Sequence, residues 1–310
     1  MAVAGGPAGA RLGAGISERP DFVAGNTRLR ARVPALTTST TGRDVAELIR
    51  AVPGAYSGAA RSAVEVLTAR YDLRDTLALL RGGLRQRPYE DKIGAVHALG
   101  AVTPTHAREV AHADDAEATV GRLVTHKLPD PTTAAALPAI WDRYQLHRDD
   151  EELEAEVATQ AHRTWVHRLL PHARYTQSLL SLLAEERDRA NLMAVLRVPA
   201  DGAVSLLPTG MLPPAALTAA TRGDWTQVRH HRPGWGPLLD LHPHSHRSVG
   251  LLELELRRLA CAHRLRLLRR GDPFTVDVAV GYMCALETPA TATAPARDSV
   301  SHRLLSRSAT

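Results

Sequence analysis

One segment of this chain occurs twice. YDLRDTLALLR, Tyr71 to Arg81, returns as RDRANLMAVLR, Arg187 to Arg197, at a shift of about 116 residues and without an internal gap. Asp72 falls on Asp188, Asp75 on Asn191, Leu80 on Leu196 and Arg81 on Arg197. Upstream, Ala63, Val64 and Leu67 fall on Leu179, Leu180 and Leu183, all apolar. Downstream, Gly100 to Pro104 (GAVTP) is echoed by Gly210 to Pro214 (GMLPP) at a slightly shorter shift. A repeat this long implies a duplicated helical unit, because solenoid repeats are shorter.

The residues of the repeat read as helix. Ala60, Ala63, Val64, Leu67 and Tyr71 follow i, i+3, i+4, i+7, i+11 spacing and form one apolar stripe. Asp72 is expected at the start of a new helix, where a carboxylate accepts from free N–H groups and complements the positive helix end. Leu73, Leu77 and Leu80 are expected to face inward, with Arg81 near the negative end and Gly82-Gly83 as the stop. Asp188, Met193, Leu196 and Arg197 take these places in the second copy, which Pro199 helps to end. The repeated polar positions, Asp72, Asp75, Arg81, Asp188, Asn191 and Arg197, are candidates for helix caps or for a shared partner-facing role.

Strand signals are poor. Alternating β-branched runs are scarce, and Ala, Leu, Arg and Glu dominate between short turn clusters. Breaks are predicted at Thr37–Gly42, Gly82–Tyr89, Thr103–Thr105, Pro129–Thr133, Val198–Gly202, Pro213-Pro214 and Arg232–His246. The predicted fold is all-α, with related helical lobes about a pseudo-symmetry axis.

The pattern of aspartate, an Asx three residues on, leucines, an arginine and then G-x-apolar-x-P resembles the C subunit of the V-type (archaeal A-type) ATPases, the counterpart of the d subunit of the eukaryotic V-ATPase. Ala24 to Leu36 (AGNTRLRARVPAL) resembles that family's N-terminal asparagine- and arginine-rich helix. His112 to Pro129 resembles its small helices after the first repeat, and Asp272 to Glu287 (DPFTVDVAVGYMCALE) the start of its third. The resemblance covers about Asp21 to Glu287, with repeats at about 45–130, 160–220 and 250–287, flanked by flexible tails at 1–20 and 288–310. Two departures stand out. Asp75 replaces the usual asparagine, and Pro289 and Pro295 interrupt the last helix where the family continues with a second glutamate and an arginine-asparagine pair.

The resemblance implies a non-catalytic rotor subunit without a cofactor. It would be a funnel-shaped socket whose wide end receives the central stalk subunits D and F and whose other face sits on the membrane proteolipid ring. Its place would be the cytoplasm, peripheral on the inner face of the cell membrane, and its task torque transmission for proton or sodium transport.

Composition permits this. No stretch approaches 18 consecutive apolar residues, so no membrane span is predicted. Cys261 and Cys284 read as small buried hydrophobes, and the Ala/Gly-rich start reads as a tail rather than a secretory signal. Asp149 to Glu156 (DDEELEAE) is expected to open a helix, where acid suits the positive end. Between Arg222 and Arg270 ten arginines face four acids, and Leu252 to Arg270 is an amphipathic helix with Leu252, Leu256, Leu259 and Leu267 on one face. Its basic side reads as a solvated face or as one turned to a membrane or acidic neighbour.

Two other function classes remain open from the residues alone. The sequence pI near 9.6 allows a basic helical nucleic-acid binder, although aromatic residues for stacking are few and lysine is nearly absent. His230, His231, His242, His244 and His246 crowd a Pro/Gly/Trp-rich loop and allow a zinc enzyme. Against that stand the lack of an H-E-x-x-H motif, of paired cysteines and of a nearby acidic ligand set. No Gly-rich phosphate loop and no G-x-S-x-G is present.

Overall fold

The computed structural model describes residues 20–33, 42–197, 206–207, 210–241 and 249–287. The expected tails at 1–20 and 288–310 fall almost wholly outside these residues. So do the break at Val198–Gly202 and the histidines His242, His244 and His246. The described elements are helical, with no strand among the described residues.

Helices α1 (Val23–Arg32) and α2 (Gly42–Ala51) lead through a 3-10 turn (Pro53–Ala55) into α3 (Gly58–Leu84). Then come α4 (Tyr89–Gly94), α5 (Pro104–Ala111), α6 (Ala116–Thr125), α7 (Pro131–His147) and α8 (Asp150–Leu169). A second series follows: α9 (Ala173–Arg197), α10 (Pro214–Thr221), α11 (Thr226–His231), α12 (Gly236–Leu241) and α13 (Val249–Arg270). A last helix, α14, covers residues 277–287. Apart from α4, which has no counterpart among the described residues, the two series share an order: a long helix, an eight-residue helix opened by proline, two further helices and a long last helix.

The expected helix start at Asp72 is not there. α3 runs unbroken for 27 residues with Asp72 in its middle. No proline interrupts this alanine- and leucine-rich stretch, so nothing in the backbone calls for a break. Gly82 and Gly83 do not stop the helix either; they lie in its last turn, where neighbours come close. A Cβ on Gly82 would stand 2.8 Å from Lys92 Cγ, and one on Gly83 2.5 Å from Thr119 Oγ1.

True caps sit elsewhere. The side chains of Thr103, Asp115, Asp130 and Asp149 accept from the opening N–H groups of α5, α6, α7 and α8. The acidic run thus opens α8 as predicted, with Asp150, Glu151 and Glu152 in its first turn.

Two apolar cores form. The larger joins α1 to α9 with Cys261, Leu268 and α14, and it includes the fully buried Leu67, Leu79, Leu80, Leu179, Leu183 and Tyr282. The smaller joins the end of α9 (Leu192, Met193, Val195) to α10, Trp225, Trp235, Leu252 and Leu256. Both cysteines are buried and free.

The N-terminal asparagine-arginine helix closes the chain on itself. Asn26, fully buried on α1, donates to Pro273 O (2.8 Å) and Thr275 O (2.9 Å) and accepts from Tyr56 Oη (2.6 Å). Arg30 donates to Leu268 O (3.3 Å) and Gly271 O (2.8 Å). The turn between α13 and α14 is thereby tied to the start of the chain, which offsets the backbone carbonyls left unpaired at the end of α13.

Candidate functional site

The repeated aspartates build one device twice. Halfway along α3, Asp72 accepts from Ala101 N (2.9 Å) and Val102 N (2.7 Å). Halfway along α9, Asp188 accepts from Met211 N and Leu212 N, each at 3.0 Å. Each carboxylate is buried and pins the loop that leads into the proline-opened helix. The paired glycines follow from this close approach. A Cβ on Gly100 would lie 2.3 Å from Asp72 Oδ1, and one on Gly210 would lie 2.2 Å from Ala184 O and 2.5 Å from Asp188 Oδ1. Only a residue without a side chain lets the loop settle onto the carboxylate.

One turn along each helix, a second pin holds the same loop. Asp75 accepts from His97 N (3.0 Å) and Ala98 N (2.8 Å). Asn191 accepts from Leu207 N (2.8 Å) and donates to Leu207 O (3.0 Å). This accounts for the exchange of asparagine for aspartate in the first copy. Two N–H groups face position 75 and require two acceptors, whereas one N–H and one carbonyl face position 191 and require an amide.

The two latches differ in one respect. Arg232, in the turn before α12, donates two hydrogen bonds to Asp188 (2.9 and 2.5 Å). Burial pushes the Asp72 carboxyl up to about 6 against the pull of the Val102 and Ala101 N–H groups, and the charges of Asp75 and Asp130 add to the rise.

The repeated arginines also take equivalent places. Arg81 donates from Nε to Glu154 (2.8 Å) and again from its terminal nitrogen, while Arg197 donates to Glu253 at 2.9 Å. Glu154 and Glu253 each stand four residues after the first residue of the return helix, α8 or α13. Each arginine thus reaches a neighbouring helix, and neither meets the aspartate of its own repeat. All six candidate positions make contacts within the chain.

Sequence reasoning missed the junction where these helices cross. Arg70 donates to Glu186 (2.5 Å) and to Glu287 (2.9 Å) from α3 to α9 and α14. Arg70 and Glu186 are separated by 116 residues, the shift of the repeat itself, and stand directly before the segment that revealed it. Tyr71 Oη donates to Glu287 as well. Burial works to raise the Glu287 carboxyl, but Arg70, the Tyr71 hydrogen bond and Arg74 outweigh it and hold the group below the usual range. Burial also works against the charge on Arg70, which Glu186 and Glu287 more than restore. A second nearly buried pair, Arg264 with Glu185 (2.6 Å), ties α13 to α9. The one available signal was unlike charge at equivalent positions of the repeat, one residue outside the matched segment.

Among the described residues, no group of three or more His, Cys, Asp or Glu side chains is placed to hold a metal ion. His230 and His231 lie at the end of α11, with their rings 5.1 Å apart. No helix is long and apolar enough to cross a membrane among the described residues.

What the geometry builds is a set of internal clamps on long helices. No curated protein matches the chain. The family model of the ATP synthase (C/AC39) subunit matches residues 40–288, which span both latches, both arginine–glutamate ties and the Arg70 junction. With most of its length so matched, the chain belongs to the ATP synthase (C/AC39) subunit family.

Proposed function

We propose that this protein is the non-catalytic rotor socket of a V/A-type ATPase or ATP synthase. It receives the central stalk subunits D and F on one face, sits on the membrane proteolipid ring with the other, and carries torque between them at the inner face of the membrane. The observation that carries this reading is the duplicated buried latch within a family of ATPase subunits. A part that passes torque must not yield, and buried carboxylates tying loops to long helices in a close-packed body supply stiffness. On this reading the repeats at about 45–130, 160–220 and 250–287 are lobes about a pseudo-symmetry axis. Arg70, Glu186 and Glu287 are then equivalent positions meeting near it, which is why one arginine can serve two carboxylates.

Co-purification tests the proposal. The full chain, mixed with a D–F pair and a detergent-solubilised proteolipid ring of the same organism, is expected to form one complex by size exclusion, and alone to hydrolyse no ATP. Failure to join either partner would overturn the reading, as would ATP hydrolysis abolished by a point mutation within this chain.

A further inference from the structure

The Arg70 junction belongs to a wider cluster of charge. Arg70 and Arg74 on α3, Arg189 and Arg197 on α9 and Arg257 on α13 act on three carboxylates, those of Glu186, Glu253 and Glu287. The carboxylates are committed. Arg70 holds Glu186 (2.5 Å) and Glu287 (2.9 Å), while Arg197 (2.9 Å) and Arg257 hold Glu253. The guanidinium groups of Arg74 and Arg189 make no ion pair or hydrogen bond among the described residues. Arg74 is exposed, with its guanidinium carbon 5.6 Å from the centre of the Tyr71 ring. Arg189 is partly buried. Burial lowers its pKa; Glu186 and Glu253 oppose this, and the charges of Arg257 and Arg74 reinforce it.

We propose that this cluster docks an acidic segment of a partner protein, with Arg74 and Arg189 as its anchors. A partly buried arginine without a carboxylate does not hold the fold together, because its desolvation is not offset. Five cations against three carboxylates leave an excess of positive charge, and it reaches solvent through Arg74 and through the Arg257 side chain, which is 36 % exposed. The uncommitted charge is spread over α3 and α9, which suits a segment carrying several carboxylates better than one small anion. Forked guanidinium donors match carboxylates in geometry as well as in charge. Such complementarity also steers and orients docking. The inference deepens the rotor reading, on which the choice of partner rests; the charge chemistry stands without it.

Fluorescence anisotropy of a labelled polyglutamate peptide with the full chain tests the chemistry. Saturable binding at low salt is expected, weakened about tenfold when Arg74→Gln and Arg189→Gln are combined. Combining Arg163→Gln and Arg168→Gln on α8 removes the same charge and is expected to leave affinity unchanged. The Arg74/Arg189 variant should melt no lower than the wild type, since neither side chain holds an ion pair. No saturable binding, unchanged affinity in that variant, or equal weakening in the α8 variant would overturn the inference. Two further arms find the source of the segment by measuring the affinity of each variant for the D–F pair and for the detergent-solubilised proteolipid ring. A loss toward one partner alone supports the inference and assigns the acidic segment to that partner. If wild type and Arg74/Arg189 variant bind both partners equally, the inference falls and the rotor reading stands. If the peptide needs the two arginines but the wild type captures neither partner, the rotor reading falls and the inference stands.

Discussion

Asp188 and Asp72 hold the same kind of loop in the same way, yet removing them should not cost the same. In Asp188→Ala the N–H groups of Met211 and Leu212 lose their acceptor and Arg232, itself nearly buried, loses its carboxylate. A buried donor left unpaired costs about 1–3 kcal/mol, and a broken buried ion pair about 3–5 kcal/mol. These overlap, so a total of about 4 kcal/mol is expected, well above the roughly 1 kcal/mol of an ordinary helix cap. Asp72→Ala also orphans two N–H groups, those of Ala101 and Val102. Its carboxylate has no arginine partner, however, and its raised pKa of about 6 means that burial already penalises the ionised form at pH 7. Two pKa units correspond to about 3 kcal/mol, so much of the loss is recovered and a net of about 1–2 kcal/mol is expected. Urea denaturation at pH 7, followed by circular dichroism, measures both. Adding Arg232→Met to Asp188→Ala should restore part of the loss, since the stranded charge is then gone. Equal losses within about 0.5 kcal/mol, or no recovery in the double variant, would refute the assignment of the difference to Arg232.

The second pins should reject each other's side chain. Asp75→Asn places an amide NH2 against the His97 or Ala98 N–H, and Asn191→Asp places a carboxylate against Leu207 O; each should lower stability by about 1–3 kcal/mol in the same denaturation assay. The raised pKa of Asp72 gives a pH signature. A carboxyl whose pKa is higher folded than unfolded contributes stability that is fully present below the unfolded value of 3.8 and lost as pH rises through about 6. Lowering the pH from 7 to 5 should therefore stabilise the wild type by about 1 kcal/mol relative to Asp72→Asn, which cannot titrate. A difference that does not change with pH would contradict this. Arg81→Ala and Arg197→Ala break partly exposed ion pairs and should each cost no more than about 1 kcal/mol, as read from the shift in melting temperature.

The helices, their stripes and several of their starts follow from local chemistry that a single chain displays. The 3.6-residue recurrence of Ala60, Ala63, Val64 and Leu67 requires only that one face be buried. Asp149 before an acidic turn requires only free N–H groups at the helix end, and the structure caps α8 there. The duplication was equally legible, because Asp72, Asp75 and Arg81 recur in order and spacing as Asp188, Asn191 and Arg197. What these polar side chains bind was not legible. An aspartate in mid-sequence looks like a cap when only its own helix is considered. Its acceptors are in fact taken by Ala101 and Val102, some thirty residues onward, across a glycine that no local rule singles out. The pairing of Arg70 with Glu186 and Glu287 lay still further out of reach. Residues 116 and 217 positions away meet only once three helices have packed. A buried charge finds its partner through the packing of whole elements, and that arrangement is a property of the tertiary fold, not of any stretch of sequence.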